Sequence, residues 1–205
     1  MTIDSTAEPG RPRPGRPSTG ARERILAAGY ETLLADGYAG MTMAKVALRA
    51  GESKALISYH FGSKQGVVAA AASQVGDEIT AEVLAGIGEP TSVAAIVEGA
   101  AAGIRRILDR DERIARAYFD LNAVSVVEAD VRAILREVKE RWRAIIADLL
   151  SSVGVDRRRV GPAVVLIMAG LEGLTLERIE RGETAELARA RRLFVEAVAG
   201  VVAGG

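Results

Sequence analysis

Cysteine is absent from the chain, and histidine occurs once, as His60. The missing cysteines exclude disulfides, thiolate nucleophiles and thiolate metal sites. A single histidine leaves no ordinary ligand set for zinc or copper, so no metal and no cofactor are expected. Beyond that histidine no Ser-His-Asp constellation can be assembled, and no glycine-rich phosphate loop follows a strand. Carboxylate pairs such as Asp111/Glu112 and Glu177/Glu180 fall on charge-mixed helix faces, where solvated ion pairs are the usual explanation. No catalytic residue emerges, and an enzyme is not expected. Proline is scarce after the first twenty residues: only Pro90 and Pro162 follow Pro17, each near an expected helix boundary. No stretch alternates apolar and polar residues long enough for a strand, and there is no tandem repeat. Long apolar runs are missing too. Pro162 to Leu171 is the longest, ended by Glu172, well short of the ~20 residues of a bilayer span. No apolar segment near the N-terminus reads as a secretion signal. A soluble, cytoplasmic protein without a membrane role is the expectation.

What remains is ordinary globular material: 205 residues, 49% hydrophobic and 26% charged, enough for one large domain or a small one plus a medium one. Net charge is zero, but unevenly spread. Residues 1–64 hold nine Lys/Arg against six Asp/Glu, while the rest hold 18 against 21. That mild asymmetry has the sign expected if only the front of the chain meets phosphate. Residues 1–20 read as a flexible Arg/Pro-rich arm, because Gly10 to Pro17 lacks backbone donors at its prolines and has little to bury. Apolar periodicity then predicts about nine helices, over 22–36, 43–50, 54–60, 64–86, 91–108, 111–125, 129–152, 159–181 and 185–202. Gly37 is placed to end the first, and Thr42, Ser53 and Ser63 to cap the next three.

Residues 42–61 carry the functional argument. They read as two short helices joined through Gly51, with Val46 and Ala47 turned towards Ile57 and Phe61, the helix-turn-helix pattern. With Ile57 and Phe61 inward, Lys54, Ala55, Ser58 and Tyr59 point out. That face is small and polar near its start, so its N-terminal end can approach base edges in a major groove. Lys54 can donate to guanine, Ser58 suits either base type, and Ala55 can meet a thymine methyl. Tyr59, His60 and Lys64 lie where phosphate oxygens would pass, and the N-terminus capped by Thr42 offers further N–H donors.

The run from Arg22 to Leu26, the Gly37-Tyr38 turn, Thr42 to Phe61 and Gly62-Ser63-Lys64 together resemble the DNA-binding domain of TetR/AcrR-family repressors. The stretch Gly51 to Lys64 is the most specific part, and the resemblance covers about residues 20–75. It implies an all-α protein: a three-helix helix-turn-helix domain over 21–75 and a helical ligand-binding and dimerisation domain over 76–205. It also implies base contacts at Ala44, Lys54, Ala55 and Ser58, and phosphate contacts at Thr42, Leu56, Tyr59, His60 and Lys64. Lys45 and Ser53 complete the expected DNA-binding set. Ala44 and Leu56 depart from the family, where some members place an arginine and a hydroxyl, so an operator sequence does not carry over.

In the second domain the last two expected helices are apolar over more than one face, through Val164, Val165, Ile167, Met168, Leu171 and Leu174, then Leu193, Phe194, Val198, Val201 and Val202. A helix apolar around much of its girth needs two partners. By resemblance, one is a second subunit, giving a homodimer that reads a roughly palindromic duplex operator. The same resemblance places a pocket for an unidentified small-molecule effector between the middle helices, with Tyr118, Phe119, Asn122, Trp142, Met168 and Glu172 as candidate lining. Bound effector would then favour a dimer with misplaced recognition helices, and effector and operator would weaken each other equally. Two other readings stay open: a helical enzyme or carrier for a small apolar molecule, and an architectural DNA binder using an AT-hook-like Pro14-Gly15-Arg16-Pro17 arm.

Overall fold

A computed structural model describes residues 20–203; the expected Arg/Pro-rich arm lies outside them, save Gly20. They form eight helices and, among the described residues, no strand: α1 Ala21–Gly40, α2 Met43–Ala50, α3 Lys54–Phe61, α4 Lys64–Ile87, α5 Val93–Val127, α6 Ala129–Ser152, α7 Arg157–Arg181 and α8 Ala185–Ala203. The expected all-α class holds. Hydroxyl caps start five of them. Thr42 accepts from Lys45 N, Ser53 from Leu56 N, Ser63 from Gly66 N, Ser92 from Ala95 N and Thr184 from Leu187 N, at 3.0–3.2 Å.

The count falls one short of nine because the expected segments 91–108 and 111–125 join as α5. Asp111 leaves helical geometry (φ −156°, ψ 92°), and its carboxylate accepts from the Arg113 backbone N–H at 3.1 Å. A local side-chain bond thus replaces one helical bond, and the helix resumes at once.

Two apolar cores lie along the chain. The first joins Ile25, Leu33, Val46 and Ile57 of the front helices to Val68 of α4, Leu121 of α5 and Leu135 of α6. The second gathers Ile96 of α5, Leu150 of α6, Ile167 of α7 and Val198 of α8. Helix α4 runs unbroken through residues 75 and 76, the expected domain boundary, so both units share it. It crosses α5 closely. A Cβ on Gly86 would stand 2.1 Å from the Gly99 carbonyl oxygen, and one on Gly103 would stand 2.4 Å from that of Glu82. Only bare backbone allows that approach. Arg106 and Arg110 of α5 then grip Glu82 of α4, and the Arg106 hydrogen bond holds the Glu82 carboxyl below its ordinary range.

Helix α7 is richer in apolar surface than its longest uninterrupted run suggests. By length and composition alone it could cross a membrane, and only 22% of its most apolar stretch is buried within this chain. Three arginines precede that stretch and Glu172 interrupts it.

Candidate nucleic-acid interface and buried cavity

The turn between α2 and α3 depends on Gly51, which sits in the left-handed region (φ 66°, ψ 28°) that residues with a Cβ avoid. It lets α3 pack its apolar side inward. Val46 and Ile57 are fully buried, with Ala47, Leu56 and Phe61 half-buried against them. The reverse side faces solvent: Thr42, Ala44, Lys45, Ser53, Lys54, Ala55, Ser58 and Tyr59 are all exposed. Tyr59 is 74% exposed. Lys54 forms no ion pair among the described residues, so its ammonium stands ready at the start of α3.

Two residues of the expected set are committed elsewhere and a third is withdrawn from solvent. Lys45 pairs with Asp36 of α1 at 3.2 Å. The Lys64 ammonium donates to the Tyr38 carbonyl at 3.2 Å and lies 4.3 Å from the centre of the Tyr38 ring. His60 is half-buried, and its Nε2 is sealed from solvent without a hydrogen-bond partner, so in this arrangement that nitrogen is not offered to a phosphate. Leu48, by contrast, was no part of the expected surface and is 85% exposed beside it. Its signal was available: it is out of phase with Val46, Ala47 and Ala50, which face the core.

Behind this unit, helices α4 to α7 enclose a cavity of about 110 Å³. Its walls are Thr80 and Val83 of α4, Ile104, Tyr118 and Phe119 of α5, Trp142 and Ile145 of α6, and Met168 and Glu172 of α7, among others. Five of the six expected lining residues are there. Asn122 is not; it lies one turn beyond Tyr118, and its amide donates to the Tyr118 backbone carbonyl at 3.1 Å. Sequence reasoning named no residue of the α4 wall, to which Ile79, Val83 and Ile87 belong. Burial, with the neighbouring Glu172 charge, pushes the Tyr118 hydroxyl well above the ordinary tyrosine range, so it stays neutral. Among the described residues no cluster of three metal-ligating side chains occurs.

One residue ties the two sites together. Tyr38, at the end of α1, donates its backbone N–H to Asp120 Oδ2 at 2.6 Å and its hydroxyl to Glu128. The Glu128 hydrogen bond, ahead of burial, pushes the phenol up to about 12. The α1 backbone breaks at Gly37 (φ 66°, ψ −179°), where a Cβ would stand 2.9 Å from Asp120 Oδ2. Asp120 directly follows the cavity residues Tyr118 and Phe119 on α5.

An exposed short helix held by a buried reverse face, mounted on a helical body, defines a helix-turn-helix DNA-binding regulator. Residues 25–71 match the family described as bacterial regulatory proteins, tetR family. Over 191 residues the chain is 27% identical to the HTH-type transcriptional regulator BetI 1 of Chromohalobacter salexigens, covering 86% of this chain and 88% of that one. A crystal structure from Rhodococcus sp., described as a TetR-family transcriptional regulator, superposes with a TM-score of 0.73 at 27% identity, covering 90% and 98% of the two chains. A regulator from Saccharomonospora viridis in complex with choline shares the fold at 19% identity, with a TM-score of 0.62 over 88% and 96%. Residues 25–71 thus carry the DNA-binding domain of the tetR family, and the chain resembles transcriptional regulators of that family over most of its length.

Proposed function

We propose that the protein is a cytoplasmic repressor that binds a palindromic operator as a homodimer and leaves it when a small molecule fills the cavity. One observation carries this reading. A single turn of α5 serves both ends, with Tyr118 and Phe119 in the cavity wall and Asp120 on the Tyr38 N–H of the DNA-binding unit. A ligand that displaces that turn must shift or break the Asp120 bond, and with it the seat of α1 against which α2 and α3 pack. The two states then differ in their affinity for operator, which is what a coupling free energy requires.

In this reading Lys54, Ala55 and Ser58 read bases, supported by Ala44. Thr42, Ser53, Tyr59 and the N-termini of α2 and α3 meet phosphate. Lys45, Leu56 and Lys64 act chiefly by holding the unit in shape, given the contacts they already make, and the half-buried His60 ring packs beside Tyr59. Dimerisation is assigned to α7 and α8. Val165 (61%), Leu193 (64%) and Val201 (66%) are exposed on them together with Leu166 and Leu176, an apolar surface of the kind a monomer rarely leaves in water. A two-fold pair would set its recognition helices about 34 Å apart, one turn of DNA. The complex of the Saccharomonospora viridis protein with choline supports a small-molecule site in a body of this fold.

Fluorescence anisotropy with duplex from the region upstream of the gene tests the reading. Saturable, sequence-selective and strongly salt-dependent binding is expected, at two subunits per duplex by light scattering. Binding that is indifferent to sequence, or a monomer on DNA, would overturn it.

A further inference from the structure

The cavity has a chemical bias beneath its apolar lining. Four of its side chains own a polar hydrogen, and all four are engaged. Trp142 Nε1 donates to Thr80 Oγ1 at 2.8 Å, and Thr80 in turn donates to the Gly76 carbonyl at 2.7 Å. The Tyr118 hydroxyl donates to Glu172 Oε1 at 2.6 Å, and the Thr175 hydroxyl to the Leu171 carbonyl at 2.6 Å. Glu172 Oε1 also holds the Lys139 ammonium at 3.1 Å. Glu172 Oε2, on the same cavity wall, accepts no hydrogen bond among the described residues. Glu172, a lining residue, therefore keeps one unengaged acceptor, and no lining side chain keeps a free donor.

From this we infer the class of effector: an apolar molecule ending in a hydrogen-bond donor, an amine or an alcohol, and not a carboxylic acid. The inference rests on the cavity being the effector site. A donor end gains Glu172 Oε2, whereas an acceptor-only end is stripped of water and finds nothing to bond. A carboxylate additionally meets the Glu172 charge. Size narrows the class further. An apolar cavity of roughly 150 Å³ holds benzene, so about 110 Å³ limits the body to one small ring or a short chain.

A matched set tests this on the full-length protein: benzylamine, benzyl alcohol, toluene and benzoate. Trp142 is the chain's only tryptophan and lines the cavity, so its fluorescence reports binding directly, alongside thermal shift. Benzylamine and benzyl alcohol are expected to bind at least tenfold tighter than toluene or benzoate. Glu172→Gln places amide hydrogens where Oε2 stands, so benzoate should gain and benzylamine lose, each about tenfold. A merely structural glutamate would not invert the order. Lys139→Met, a second variant that keeps Glu172 and removes its cation, should favour benzylamine over benzyl alcohol. Benzoate or toluene matching benzylamine on the native protein, or an unchanged order in both variants, overturns the donor rule alone. If none of the four perturbs Trp142 or melting temperature, the cavity reading falls with it.

Discussion

The α2–α3 unit and the α4–α7 cavity solve opposite problems with the same kind of helix. The first is short, tightly pinned on one side and bare on the other; its exposed side chains have few partners inside the chain. The second is assembled from four long helices, and its polar hydrogens are all satisfied internally. At the exposed unit Lys54 keeps its ammonium without an ion pair among the described residues, while the side chains that line the cavity keep no unengaged polar hydrogen. The difference also separates what holds each region together. Ile57 is packed on every side, whereas Ile167 has the cavity along one of its flanks.

That contrast sets the largest expected effect. Ile57→Ala should cost about 4 kcal/mol and abolish DNA binding, because it empties a filled core. The chemically identical Ile167→Ala should cost only about 2 kcal/mol, since part of that side chain already borders open space. It should also widen the range of bound ligands. Urea denaturation followed by circular dichroism measures both, and equal costs would mean that the cavity is closed in solution.

How each region was legible in the sequence follows from the same contrast. The recognition unit is contiguous, so caps, Gly51 and the inward phase of Val46 and Ile57 could all be found within 20 residues. The cavity is spread over helices α4 to α7. Its aromatic and charged members, Tyr118, Phe119, Trp142 and Glu172, stood out, but the apolar α4 wall looked like any core face. Asn122 shares a helix stripe with Tyr118 but is not part of the cavity wall, and its amide turns back to its own backbone. The link between the sites was invisible: Tyr38 meets Asp120 and Glu128 across 82 and 90 residues, and no local pattern announces such a contact. A gap between helices was expected at residues 109–110; the break falls at Asp111, whose side chain bridges it so that the helix continues.

Specificity should separate from stability at the exposed helix. Lys54→Ala and Ser58→Ala should each relax discrimination against altered operators by about 1–3 kcal/mol, while stability moves by no more than about 0.5 kcal/mol. Competition anisotropy against single-base variants, paired with thermal melts, checks this. A loss of stability as large as the loss of discrimination would place these side chains in the core instead.

The Tyr38 junction is where the two regions stop being independent. Asp120→Asn leaves the cavity lining untouched but weakens the bond from Tyr38 N. Effector affinity in the absence of DNA should therefore hold within about twofold, while the coupling between effector and operator falls by about 1 kcal/mol of the 1–3 typical of such linkage. Titrating effector with and without saturating operator gives both numbers. Unchanged coupling would rule out this route between the sites.

The smallest effect is in pH, and it divides the molecule once more. Glu82, Asp111 and Glu183, all beyond residue 76, are held below the ordinary carboxylate range by hydrogen bonds from Arg106, Arg113 and Arg191. Groups depressed in the folded state stabilise it above their unfolded value, about 4, and lose that contribution as pH falls below it. Tyr38 runs the other way. Its phenol is raised to about 12 by Glu128, so its contribution is complete below pH about 10 and is lost as pH climbs towards 12. Acid loss should thus reflect these arginine-held carboxylates, and alkaline loss should reflect Tyr38 together with Tyr30 and Tyr118, whose phenols are also raised. Melting temperature recorded from pH 3 to 11 should show both limbs. Tyr38→Phe should make the alkaline limb shallower and leave the acid limb as it is, at a cost of about 1 kcal/mol at neutral pH, and an alkaline limb unchanged by that substitution would remove the junction from the account of stability.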